Sequence, residues 1–79
     1  MSELRSVLRY SMVITWSDLD EAFLVTLPEW EGRVINPVGH GDTYAEAVEA
    51  GEIALEQLVS IFLEDGRPLP QPGINPAAA

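Results

Sequence analysis

Apolar and polar residues alternate over 8–16. Leu8, Tyr10, Met12, Ile14 and Trp16 fall on one side, and Arg9, Ser11, Val13 and Thr15 on the other. A period of two belongs to an extended chain with one face on a core, so the pattern predicts a first strand. Ser17, Asp18, Leu19, Asp20 and Glu21 then supply turn chemistry, and over 22–27 Phe23, Val25 and Leu27 alternate against Leu24 and Thr26. The two segments are expected to pair as a hairpin. Pro28 lacks the N–H that a ladder needs and ends the second strand, and Glu29-Trp30-Glu31-Gly32 reads as a corner. A short third strand is expected over 33–37.

Beyond Thr43 the period changes. Ala47, Val48, Gly51, Ala54, Leu55, Leu58 and Phe62 recur at helical spacing, while Glu46, Glu49, Glu52, Glu56 and Gln57 gather largely on the opposite side. Thr43 with Glu46 three residues on forms a capping box, the hydroxyl serving a free N–H and the carboxylate reaching back. Gly66 provides a left-handed stop after Glu64-Asp65, and Pro68 prevents resumption. A helix over 44–65 follows. Gly39 and Gly41 ahead of it read as a tight turn, and Gly51 on the buried side permits close approach to what lies beneath.

Strand, strand, strand, helix is an α+β order: an antiparallel three-stranded meander with one long helix across one face. One sheet face and one strand edge are left without cover, and an open edge tends to be paired or blocked. For self-association the first strand is the expected element, through its outward residues Arg9, Ser11, Val13 and Thr15. Residues 1–7 are expected to fray, 8–66 to form the domain, and the proline-rich stretch 67–79 to favour polyproline II or disorder, with Leu69 and Ile74 able to tack it down.

Composition narrows the partners. A chain of 79 residues buries proportionately little surface, and with no cysteine it has no disulfide or cysteine zinc site to compensate. Oligomerisation is the remaining source of support, as a dimer or tetramer. Thirteen acidic residues against four arginines give a net charge of −9, which opposes direct nucleic-acid binding and steers a basic partner inward. The apolar runs are too short to span a membrane and no secretory signal is visible, so the expected location is the cytoplasm.

Catalytic chemistry is sparse. His40 is the only histidine, with Asp42 as its one obvious neighbour, and neither a base without a pocket nor a metal with one good ligand makes a site. Gly39-His40-Gly41 before a helix lacks the third glycine and the lysine of phosphate loops, and Asp42 stands where a phosphate would sit. Asp18, Asp20 and Glu21 lack the spacing of a calcium loop. No catalytic residue, metal or cofactor is assigned, and the chain does not read as an enzyme. Trp16 and Trp30 are large side chains of the kind that pack cores or anchor interfaces, and are taken as candidate partner anchors.

Ile14-Thr15-Trp16, the acidic turn, Val25-Thr26-Leu27-Pro28-Glu29, Gly41-Asp42-Thr43 with Glu46-Ala47, and Glu64-Asp65-Gly66 with Pro68 and Pro70 occur in an order that resembles the HicB-like antitoxins. The likeness covers about residues 8–72. It implies a partial RNase H-like fold, with a fourth strand in many members, and no nuclease activity. It also implies a partner, a small basic HicA-type toxin that cleaves mRNA, and assembly into oligomers. Gly41, Asp42, Thr43, Glu46, Ala47 and Gly66 then serve the turn, cap and stop. No ribbon-helix-helix or helix-turn-helix pattern follows the Pro-x-Pro segment, so direct DNA binding is not expected. An orphan oligomeric domain with no toxin partner is the alternative.

Overall fold

A computed structural model of the chain describes residues 9–73. Strand β1 (Val13–Ser17) turns back into β2 (Ala22–Thr26), a 3-10 turn (Pro28–Trp30) and an irregular stretch lead to β3 (Gly39–Gly41), and helix α1 (Tyr44–Glu64) follows. All strand pairs are antiparallel, in the order β1-β2-β3, with Ile14 opposite Val25 and Val25 opposite Gly39. The α+β meander with one long helix is therefore present. Among the described residues the sheet has three strands, with an isolated bridge between Glu31 and Val34 outside it. The residues expected to fray, 1–7, and the expected anchor Ile74 lie outside the described residues.

The first strand is shorter than its alternation suggests. The backbone N–H of Ser11 donates to the carboxylate of Glu29 at 3.0 Å, and its hydroxyl does so at 2.9 Å, so this residue is held by a side chain rather than by the sheet. The third strand lies later than expected, at 39–41 instead of 33–37. Two groups in the expected stretch oppose a ladder there. Pro37 has no N–H, and the Asn36 side chain takes the N–H of Leu27 on its Oδ1 at 3.0 Å, replacing a backbone partner.

Gly39 and Gly41 do not form a tight turn. Positive φ occurs instead at Gly32, Gly66 and Gly73, and at Glu21. Space requires glycine at 41, where a Cβ would lie 2.5 Å from the Ala47 nitrogen, and makes position 39 tight, where a Cβ would lie 3.1 Å from the Ala50 Cβ. The helix rests directly on the strand backbone.

The core forms where α1 meets that sheet face. Val25, Leu27, Trp30, Ala47, Leu55, Val59 and Phe62 are buried, with Met12, Ile14 and Leu58 partly so. Val59, four residues beyond Leu55, joins the buried face, while Val48 is exposed. Gly51 is buried against Met12 and Val25, as a close-approach glycine requires. Thr43 caps the helix, its Oγ1 accepting from the Glu46 N–H at 3.1 Å, and the Glu46 carboxylate accepts from the Asp42 N–H at 2.8 Å. Gly66 at φ 67° ends it. The described part of the segment after α1, 65–73, has no regular structure but lies on the body, since Leu69 packs against the core and Tyr10 Oη donates to the Pro70 carbonyl at 2.7 Å.

Candidate functional site

Three surfaces can be built from these elements. The first is the outward side of α1, where Glu46, Glu49, Glu56 and Glu64 are exposed and Glu52 is partly so. Two of the three described arginines are held elsewhere. Arg33 Nη1 donates to the Pro68 carbonyl at 2.6 Å, and the Arg67 guanidinium stands 3.9 Å from the centre of the Phe62 ring.

The second surface is the sheet face away from α1, with β1 at its edge. Register places Val13, Thr15 and Ser17 there with Ala22, Leu24, Thr26 and His40. Of the residues expected to self-associate, Arg9, Val13 and Thr15 are exposed, Val13 at 43%. Ser11 is only partly exposed and already bonded to Glu29. A shallow depression of about 350 Å³ on this face is lined by Asp20, Ala22, Leu24, Pro37 and His40. The backbone N–H of Asp42 donates to the Glu46 carboxylate at the helix start, at 2.8 Å. Among the described residues no three histidine, aspartate or glutamate side chains converge as metal ligands would.

The third surface is aromatic. Trp16 pairs across the hairpin with Phe23, ring centres 5.0 Å apart and nearly perpendicular, and Phe23 meets Tyr44 at 4.3 Å. Phe23 stands opposite Gly41, whose missing side chain leaves room beside the ring. Trp16 is 50% exposed and Tyr44 64%. The Trp16 indole donates to Asp18 Oδ1 at 2.7 Å, which holds its orientation. Trp30 has no such freedom. It is 0% exposed, between Tyr10 at 5.3 Å and Phe62 at 5.1 Å, and serves the core instead of anchoring a partner.

Sequence reasoning picked out Trp16 and passed over its neighbours. The signal was present: a turn centred on 18–21 sets Trp16 opposite Phe23, and cross-strand neighbours form the natural contact pairs of a sheet. Tyr44 could be added only once β3 was placed.

Comparison with protein-family models, with curated proteins and with solved structures gives no significant match. Among the described residues no helix is long and apolar enough to cross a membrane.

Proposed function

We propose that this chain is a non-catalytic, antitoxin-like binding module of the cytoplasm that neutralises a small basic HicA-type ribonuclease. The observation that carries this reading is the row of exposed carboxylates along α1, displayed by a meander-plus-helix domain whose residue order resembles the HicB-like antitoxins. A surface of one sign raises the encounter rate with a partner of the other, and that partner's RNA-binding face must itself be basic. Covering such a face blocks RNA without any chemistry by the antitoxin. The partial RNase H-like architecture belongs to the same proposal.

The test uses a purified HicA-type toxin from the same genome and a labelled mRNA substrate. Stoichiometric addition of this protein should abolish cleavage, and raising the salt should slow association. Undiminished cleavage, with no complex detected, rejects the reading for that pair.

An orphan homo-oligomer is supported by a separate observation, the exposure of Val13 and Thr15 on the edge strand β1. It requires a defined dimer or tetramer of the isolated protein.

A further inference from the structure

We propose that Trp16, Phe23 and Tyr44, rimmed by Asp18 and Asp42, form a docking platform for an arginine-bearing segment of a basic protein partner. Two of the three rings are at least half exposed, which is unusual for tryptophan beside a core it could have joined. The rings contact one another in a row, Trp16 to Phe23 to Tyr44, so they present one continuous surface. Aromatic faces attract cations, and tryptophan does so best.

The rim selects the sign of the ligand. Asp18 touches the Trp16 indole, and Asp42, exposed, lies between Gly41, which pairs with Phe23, and the Thr43 cap of the helix that Tyr44 opens. Asp18 uses one acceptor position on the indole and retains others for a guanidinium. Arginine fits better than lysine, because its planar head stacks on a ring while its fork engages a carboxylate. Arg33 and Arg67, bound by Pro68 and Phe62, belong to the other end of the helix.

The other occupants fit less well. Nucleic-acid bases would stack on the rings, but their phosphates would meet the rim carboxylates. A second copy joined by a two-fold axis would set the same carboxylates against themselves. The platform rests on the antitoxin reading only in taking the partner to be basic.

The experiment is a titration of the ¹⁵N-labelled full chain with a blocked peptide of alternating glycine and arginine, in parallel with its citrulline counterpart. The Trp16 indole N–H should shift and the Trp30 indole N–H should not, with the citrulline peptide causing neither. Trp16→Ala and Tyr44→Ala should each weaken binding roughly tenfold, the combined loss of a cation–ring contact and its apolar area. Asp18→Asn, which keeps the ring, should also weaken it, whereas the remote Glu56→Gln should change it less than twofold. An unshifted Trp30 resonance in each variant reports an intact core.

Equal binding of the two peptides, an unweakened Trp16→Ala, or an equal loss in Glu56→Gln overturns the platform. So does a Trp16→Ala protein that changes oligomeric mass while its peptide affinity stays the same. If wild type and Trp16→Ala inhibit the toxin equally, the platform fails and the antitoxin reading stands. If wild type leaves the toxin active yet binds the arginine peptide at Trp16, the antitoxin reading fails and the platform stands.

Discussion

Replacing Gly41 by alanine tests how the helix is seated on the sheet. The added methyl would stand 2.5 Å from the Ala47 nitrogen and 2.7 Å from both the carbonyl carbon and Cβ of Glu46, where ordinary contact begins at 3.4 Å. Two of those three atoms are backbone, in a turn fixed by the Ala47 N–H to Thr43 carbonyl bond of 3.0 Å and by the Thr43 side-chain cap. Relief therefore requires β3 or the first turn of α1 to move by roughly an ångström, straining packing and cap together. Overpacking a rigid site costs about 1–3 kcal/mol, and a weakened cap adds up to ~1 kcal/mol.

A loss of about 3 kcal/mol is a large part of the margin, since 79 residues carry a total stability of about 4–12 kcal/mol. Gly51→Ala is the internal control. Its methyl would also crowd its surroundings, meeting Met12 Sδ and, at 2.9 Å, Val25 Cγ1. Met12, however, can yield at the end of a flexible side chain, and alanine is favoured over glycine within a helix by about 1 kcal/mol. Val25, β-branched and fully buried, yields less readily, so Gly51→Ala should still lose stability but less than Gly41→Ala. Urea unfolding with a common slope measures both variants. If Gly41→Ala matches wild type within ~0.5 kcal/mol, or Gly51→Ala is the worse of the two, the seating argument is wrong.

Three further outcomes are expected. Thr43→Ala removes the hydroxyl that accepts the Glu46 N–H and should lower stability by about 1 kcal/mol in the same urea assay; no change would mean the cap contributes nothing. Burial and then the Glu29 carboxylate push the Tyr10 phenol above its ordinary pKa of 10.0, against the opposing pull of Arg33. The fold thus favours the neutral phenol, so its contribution is complete below that value and is lost as pH rises through the higher folded one. Tyr10→Phe should flatten this alkaline loss in a pH series of melting curves and, near neutrality, cost about 1 kcal/mol for the bond to Pro70; an unchanged alkaline limb would refute the assignment. Val13→Glu should shift any oligomer toward monomer by light scattering, and an unaltered mass would exclude the β1 face as the self-association surface.

The parts of the fold legible in the sequence were those determined by neighbours along the chain. Thr43 and Glu46 announce a helix start within four residues, Gly66 announces its end, and the alternation around 17–21 announces a hairpin. What stayed hidden depends on contacts between distant segments. Gly39 and Gly41 look the same in sequence whether the chain needs their freedom to turn or their lack of a side chain, and only the helix lying above decides for the second. Asn36 gives no sign that its side chain will serve Leu27 in place of a strand. Val48 and Val59, eleven residues and about three full turns apart, share one margin of the apolar stripe, and only what lies beneath each end of the helix decides that Val59 is buried and Val48 is not.

The two aromatic groups show how such contacts decide function from similar materials. Tyr10, Trp30 and Phe62 form one edge-on cluster, and Trp16, Phe23 and Tyr44 form another at comparable spacings, edge-on between Trp16 and Phe23 and tilted by 34° between Phe23 and Tyr44. Nothing in residue type separates core from surface here. The difference is the cover: Leu69 and Pro70 lie over the first group, tied there by Tyr10, while Arg33 binds Pro68 and Arg67 stacks on Phe62. The first cluster has thus already acquired its cation and its apolar lid from the chain itself. The second has the same ring chemistry with carboxylates at its rim, and a partner that supplies an arginine and some apolar surface would complete it as the tail completes the first.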